Sequence, residues 1–67
     1  MPITPEQIKK LRKRAGLTQT EAAKLIHVQL NAWQRWEAPE GSDYSRKMSE
    51  TCLELFCIKI GSPYPPT

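Results

Sequence analysis

Apolar residues recur at helical spacing in separate stretches of this chain, and each stretch is bounded by residues that start or stop a helix. Ile8, Leu11 and Ala15 form the first stripe. Thr4 stands before it as an N-cap, Pro5 takes the first helical position, and Gln7 is placed to return a hydrogen bond to the cap. Gly16 follows the last turn, so the first helix is predicted to run from Pro5 to about residue 15. In Thr18-Gln19-Thr20-Glu21 the threonine and glutamate form a reciprocal capping box, which opens a second helix over about 19–26 with Ala22, Ala23 and Ile26 on its inner face. Residues 27–29 are left as a tight turn. A third helix over about 30–37 turns Trp33 and Trp36 inward and leaves Leu30, Asn31, Gln34 and Arg35 outside. After loop residues 38–43, Ser49 caps a fourth helix over about 50–60 that Gly61 ends. Its Leu53, Leu55, Phe56 and Ile60 make it apolar nearly all round, so it must be buried or shared. The pattern contains no strand signal and the fold class is all-α.

Length and composition narrow this further. A chain of 67 residues has room for one domain, read as residues 1–61, followed by an extended proline-rich tail over 62–67. A content of 39% hydrophobic and 25% charged residues is that of a globular chain rather than a disordered one. No apolar run reaches the roughly 20 residues that span a bilayer, and the N-terminus lacks the apolar stretch of a secretory signal. No membrane partner is expected, and the default location is the cytoplasm. Cys52 and Cys57 lie five residues apart on one predicted helix and face different ways, so both are expected to be reduced thiols. With His27 as the single histidine, no metal site is expected. The net charge of +3 is uneven: residues 1–35 hold seven Lys/Arg against two acids, and residues 36–67 hold three against five. Such a distribution favours a polyanionic partner bound toward the N-terminal half.

Two short helices joined by a tight turn are the frame of a helix-turn-helix, in which the second helix enters the major groove while the first crosses the backbone. The run Leu17-Thr18-Gln19-Thr20-Glu21-Ala22-Ala23-Lys24-Leu25-Ile26-His27-Val28, followed by Trp33-Gln34-Arg35-Trp36-Glu37, resembles the helix-turn-helix of the XRE, or lambda-repressor-like, family. The likeness extends over roughly residues 5–40 and implies a compact bundle of four to five short helices. It further implies that Leu30, Asn31, Gln34 and Arg35 face base edges. Asn pairs with adenine, Arg with guanine, and Leu rests against a thymine methyl. Gln34 is equally well read as a solvated or phosphate-facing residue, and Leu30 as part of a core or interface. Phosphate contacts are expected from Gln19 at the start of the second helix, together with Thr18, Gln29, Arg46 and Lys47. The family also pairs an Arg and a Glu at the positions of Arg12 and Glu37, which makes these two structural. Lys9, Lys10, Lys13 and Arg14 are read as a solvated helix face, the alternative being a phosphate-contacting patch. Here His27 replaces the usual turn glycine, and Gln29 replaces the usual Ser or Thr cap. His27 is read as a turn residue, since His tolerates left-handed backbone better than most side chains.

The function that the resemblance implies is a sequence-specific, DNA-binding transcriptional repressor that occupies an operator and regulates its own gene. Members of this kind include phage Cro-like repressors, antitoxins and autoregulators encoded beside anti-CRISPR genes, and the Trp-Gln-Arg-Trp-Glu segment is most like the last. One reading helix covers few base pairs, so a homodimer on a near-palindromic site of double-stranded DNA is expected. Leu53, Cys57, Ile60 and Tyr64 are the expected interface, with some of them expected in the core. The alternative is an antitoxin-like or adaptor module that grips a partner protein, with DNA binding secondary. An enzyme is not expected, because one histidine, no paired acids and no glycine-rich phosphate loop leave few catalytic parts. Neither a cofactor nor a small-molecule effector is expected.

Overall fold

Hydroxyl residues start three of the four helices. Thr4, Thr18 and Ser49 have extended backbone and accept from the N–H groups of Gln7, Glu21 and Cys52. Each bond satisfies one donor that a helix start leaves without an intrahelical partner. At the first two sites Gln7 Oε1 and Glu21 Oε1 accept in return from the cap N–H, both at 2.9 Å. The helices so begun are α1 (Pro5–Arg14), α2 (Gln19–Leu25) and α4 (Glu50–Ile60). The remaining helix, α3 (Leu30–Glu37), starts from Gln29, whose side chain makes no capping bond. The computed structural model describes residues 3–64, and among these there is no strand. The expected all-α class is therefore the observed one. Pro65, Pro66 and Thr67 of the expected tail lie outside the described residues.

Three helices also end alike. The N–H of Leu17 donates to the Arg12 carbonyl, that of Val28 to Ala23 and that of Ser62 to Cys57, at 3.2, 2.9 and 2.9 Å. The residue before each donor is in left-handed backbone: Gly16 at φ +75, His27 at φ 61 and Gly61 at φ +72. This six-to-one closure uses carbonyls that would otherwise face solvent unpaired. It stops α1 and α2 one residue short of the predicted ends, with Ala15 and Ile26 as C-caps.

The helices converge on Trp33, which is wholly buried. Its ring lies 4.9 Å from that of Phe56 and 5.5 Å from that of Trp36, centroid to centroid, the latter in an edge-to-face arrangement. α3 packs against α2 and α1, and α2 packs in turn on α4. Ala22 and Ala23 are fully buried, small enough to let neighbouring backbones come close. Ile8, Leu11, Ile26 and Met48 complete the inner layer.

Leu53 and Cys57, expected at a dimer interface, lie in this core instead, 3% and 0% exposed. So small a chain needs every apolar group of α4 that can reach Trp33 to cover it. Ile60 is half-buried and Tyr64 is 38% exposed, so these two stay near the surface. Cys52 and Cys57 are both free thiols, and burial pushes the Cys57 thiol above its ordinary range. Among the described residues no helix is long and apolar enough to cross a membrane.

Candidate nucleic-acid interface

Glu37, the last residue of α3, accepts hydrogen bonds from three other residues. Arg12 approaches as a fork, Nε to Oε2 at 2.6 Å and Nη2 to Oε1 at 3.1 Å, while its third nitrogen, Nη1, donates to the Leu17 carbonyl at 2.9 Å. The Trp33 indole N–H donates to Oε2, and Gln19 Nε2 donates to Oε1 at 3.2 Å. The side chains of Arg12 and Glu37 are only 10% and 4% exposed. Burial alone would raise the Glu37 carboxyl. The hydrogen bonds from Arg12 and Trp33, the Arg12 charge and the Gln19 bond together outweigh it, holding the group below its ordinary value of 4.5. The consequence is mechanical. One carboxylate ties the last turn of α1, the first residue of α2 and the last residue of α3, which fixes α2 and α3 relative to each other.

Gln19 was expected to hold a phosphate, and the structure places its amide on Glu37. The carboxylate has lone pairs beyond those Arg12 uses, and the first turn of α2 passes within reach of them. Since a primary amide carries two N–H donors, one of them and the amide oxygen remain uncommitted. Thr18 Oγ1 accepts from the Glu21 N–H at 3.1 Å, and the Glu21 carboxyl is held low by its bonds from the Thr18 backbone and side chain. Gln29 is exposed at the start of α3.

The opposite side of α3 is open. Leu30 is 38% exposed, and Asn31 and Gln34 are also exposed. Asn31 and Gln34, three residues apart, share the side turned away from Trp36, while Leu30, three residues before Trp33, sits at its edge. None of their side chains hydrogen-bonds to the described chain. Arg35 is different: it is half-buried, its guanidinium carbon lies 5.0 Å from the centroid of the Tyr44 ring, and its Nε is buried with no partner.

Two hydrogen bonds, one backbone to backbone and one side chain to backbone, bring the loop between α3 and α4 onto this surface. The Arg46 N–H donates to the Arg35 carbonyl at 3.1 Å, and Ser45 Oγ donates to the Ala38 carbonyl at 3.4 Å. As a result Arg46 and Lys47, both exposed, stand beside Asn31 and Arg35 along an open groove of about 420 Å³. Three cations line it and no acid does. Lys9, Lys10, Lys13 and Arg14 are exposed along α1, away from this groove.

Four features escaped the sequence reading. The Trp33 indole reaches Glu37, which the four-residue spacing on one helix does foreshadow. Met48 enters the core from a loop, where no periodicity marks it. Ile58 is 66% exposed on α4, hidden in the sequence because the whole helix reads as apolar. Tyr44 meets Arg35 from a loop, and the one hint is an aromatic residue in an otherwise polar segment. Set beside known proteins, the chain matches no family model and no curated relative.

Proposed function

We propose that this chain is a sequence-specific, double-stranded-DNA-binding transcriptional repressor, acting in the cytoplasm as a homodimer on a near-palindromic operator that includes its own promoter. The observation that carries this reading is the two-sided use of α3. One side holds Trp33 and Trp36 rigidly in the core, and the other presents Asn31 and Gln34, with Leu30 exposed at its edge. A helix fits the major groove, and these side chains have the donors, acceptors and apolar surface that base edges call for. Arg35 stands beside them as a further base reader, and Arg46 and Lys47 along the same groove supply positive charge at the flank, where phosphates run. Repression follows from occupancy: a dimer seated on the operator denies polymerase the same DNA.

The test is binding to the duplex upstream of the chain's own gene over a range of salt. Affinity is expected to fall steeply with salt, and Arg35→Ala to lose about 1–3 kcal/mol of discrimination at particular base pairs. Asn31→Ala behaves likewise at other positions. Absence of binding at low salt sinks the reading, as does binding that both substitutions leave intact.

A further inference from the structure

We infer that Tyr44 aims Arg35, so that the pair recognises a guanine through the outer end of the guanidinium. This rests on the DNA reading above and names a specificity-determining residue outside the helix-turn-helix.

The two arginines of the site contrast. Arg12 commits all three guanidinium nitrogens to Glu37 and Leu17, and its side chain is only 10% exposed. Arg35 is held by a ring, at 5.0 Å from guanidinium to centroid. An aromatic face attracts the cation without accepting its in-plane N–H groups, so the stack orients the group and leaves its donors free. One donor is withdrawn by burial: Nε is out of solvent and unbonded. Nη1 and Nη2 make no hydrogen bond within the described chain. The donors left for a ligand are therefore those of the terminal edge of the guanidinium, Nη1 and Nη2.

That edge matches guanine. Its major-groove side offers two adjacent acceptors, N7 and O6, whereas adenine offers N7 beside a donor amine. No acid lines the groove on which Arg35 stands, so nothing within it competes for these donors. Tyr44 is itself 48% exposed and contributes little to the core. Its position comes from the loop, which the Arg46 to Arg35 and Ser45 to Ala38 bonds pin against the end of α3 on the C-terminal side of the ring. A stack braced in this way sets the guanidinium before DNA arrives, which spares the side-chain ordering that binding otherwise costs.

The experiment uses the whole chain and a randomised duplex library. After selection, binding is measured on the selected duplex and on copies in which each guanine in turn is replaced by adenine or by 7-deazaguanine, which lacks the N7 acceptor. The expected result is a guanine whose replacement weakens the wild type and not Arg35→Ala. Tyr44→Phe keeps that discrimination, and Tyr44→Leu lowers it about five- to thirty-fold, the range for a stack desolvated against a base. Affinity changes at other positions, and the salt slope, stay as in the wild type. Ring-current displacement of the Arg35 side-chain proton resonances, present in the wild type and in Tyr44→Phe, vanishes in Tyr44→Leu. Discrimination unchanged in Tyr44→Leu overturns the inference. So does an equal loss in Tyr44→Phe, which marks a hydroxyl contact to phosphate instead. A wild type that selects no sequence overturns the DNA reading itself, and the inference with it.

Discussion

Glu37 and His27 show how single residues set the limits of this fold. Because the folded Glu37 carboxyl lies below its ordinary value of 4.5, the native state holds that proton less tightly than the unfolded chain does. Its contribution to stability is complete above the ordinary value and is lost as pH falls through the depressed one. Denaturant midpoints are expected to hold from neutrality to about pH 5 and then to fall, with Glu21 adding a smaller part of the same slope. Glu37→Gln leaves Arg12 buried without its counter-charge and costs about 3 kcal/mol at pH 7. Its acid-side decline is shallower, and an undiminished slope refutes the assignment. His27 sits at φ 61, where a side chain costs about 1–2 kcal/mol, against up to about 1 kcal/mol for the greater unfolded freedom of glycine. Strain wins, since the exposed imidazole gives up no packing. His27→Gly should stabilise by about 0.5–1 kcal/mol in urea denaturation.

At the scale of elements, a short helix depends on its ends. α2 has seven residues, too few to persist alone, so its capping box and left-handed closure do much to define it. Thr18→Ala is expected to lower the unfolding free energy by about 1–2 kcal/mol, seen as a lower denaturant midpoint with the m-value unchanged. A change in m points to a rearranged structure instead. Such ends are legible in sequence because they act over four or five residues: Thr4, Thr18 and Ser49 announce starts, and Gly16 and Gly61 announce stops. α3 is the exception. Gln29 is a poor cap, and the helix forms there because Trp33 must meet both Phe56 and Trp36. For α4 the sequence could say only that it is covered, not which residues face inward, since Leu53, Phe56, Cys57 and the exposed Ile58 read alike.

The whole molecule has two uneven surfaces. One is the acid-free groove of Arg35, Arg46 and Lys47 beside the open side of α3. The other lies at the end of α4, where Ile58 is 66% exposed and Tyr64 38%. Exposed isoleucine is common enough singly, but with Leu53 and Cys57 withdrawn into the core it is the principal apolar group that α4 offers a second copy. Ile58→Glu is expected to weaken dimerisation by about tenfold or more in sedimentation equilibrium. Its effect on the unfolding free energy stays within about 0.5 kcal/mol, because the side chain packs little in the monomer. Unchanged self-association excludes α4 from the interface.

By itself the sequence determined the helices, most of their limits, the inner residues of α2 and α3, Ile8 and Leu11 of α1, and much of the side of α3 left to solvent, whereas Ala15, expected on the inner stripe, is exposed. Those properties follow from periodicity and from hydrogen bonds between near neighbours. The Arg12 to Glu37 pair was legible through the resemblance alone, because 25 residues separate the partners and no local spacing joins them. Only the tertiary structure decided that the Gln19 amide goes to Glu37, that Leu53 and Cys57 are core, and that the Tyr44 ring lies against Arg35. Each of these depends on where a loop or a second helix comes to rest. That is settled by burying Trp33 in a chain with little apolar surface to spare, which no stretch of neighbouring residues encodes.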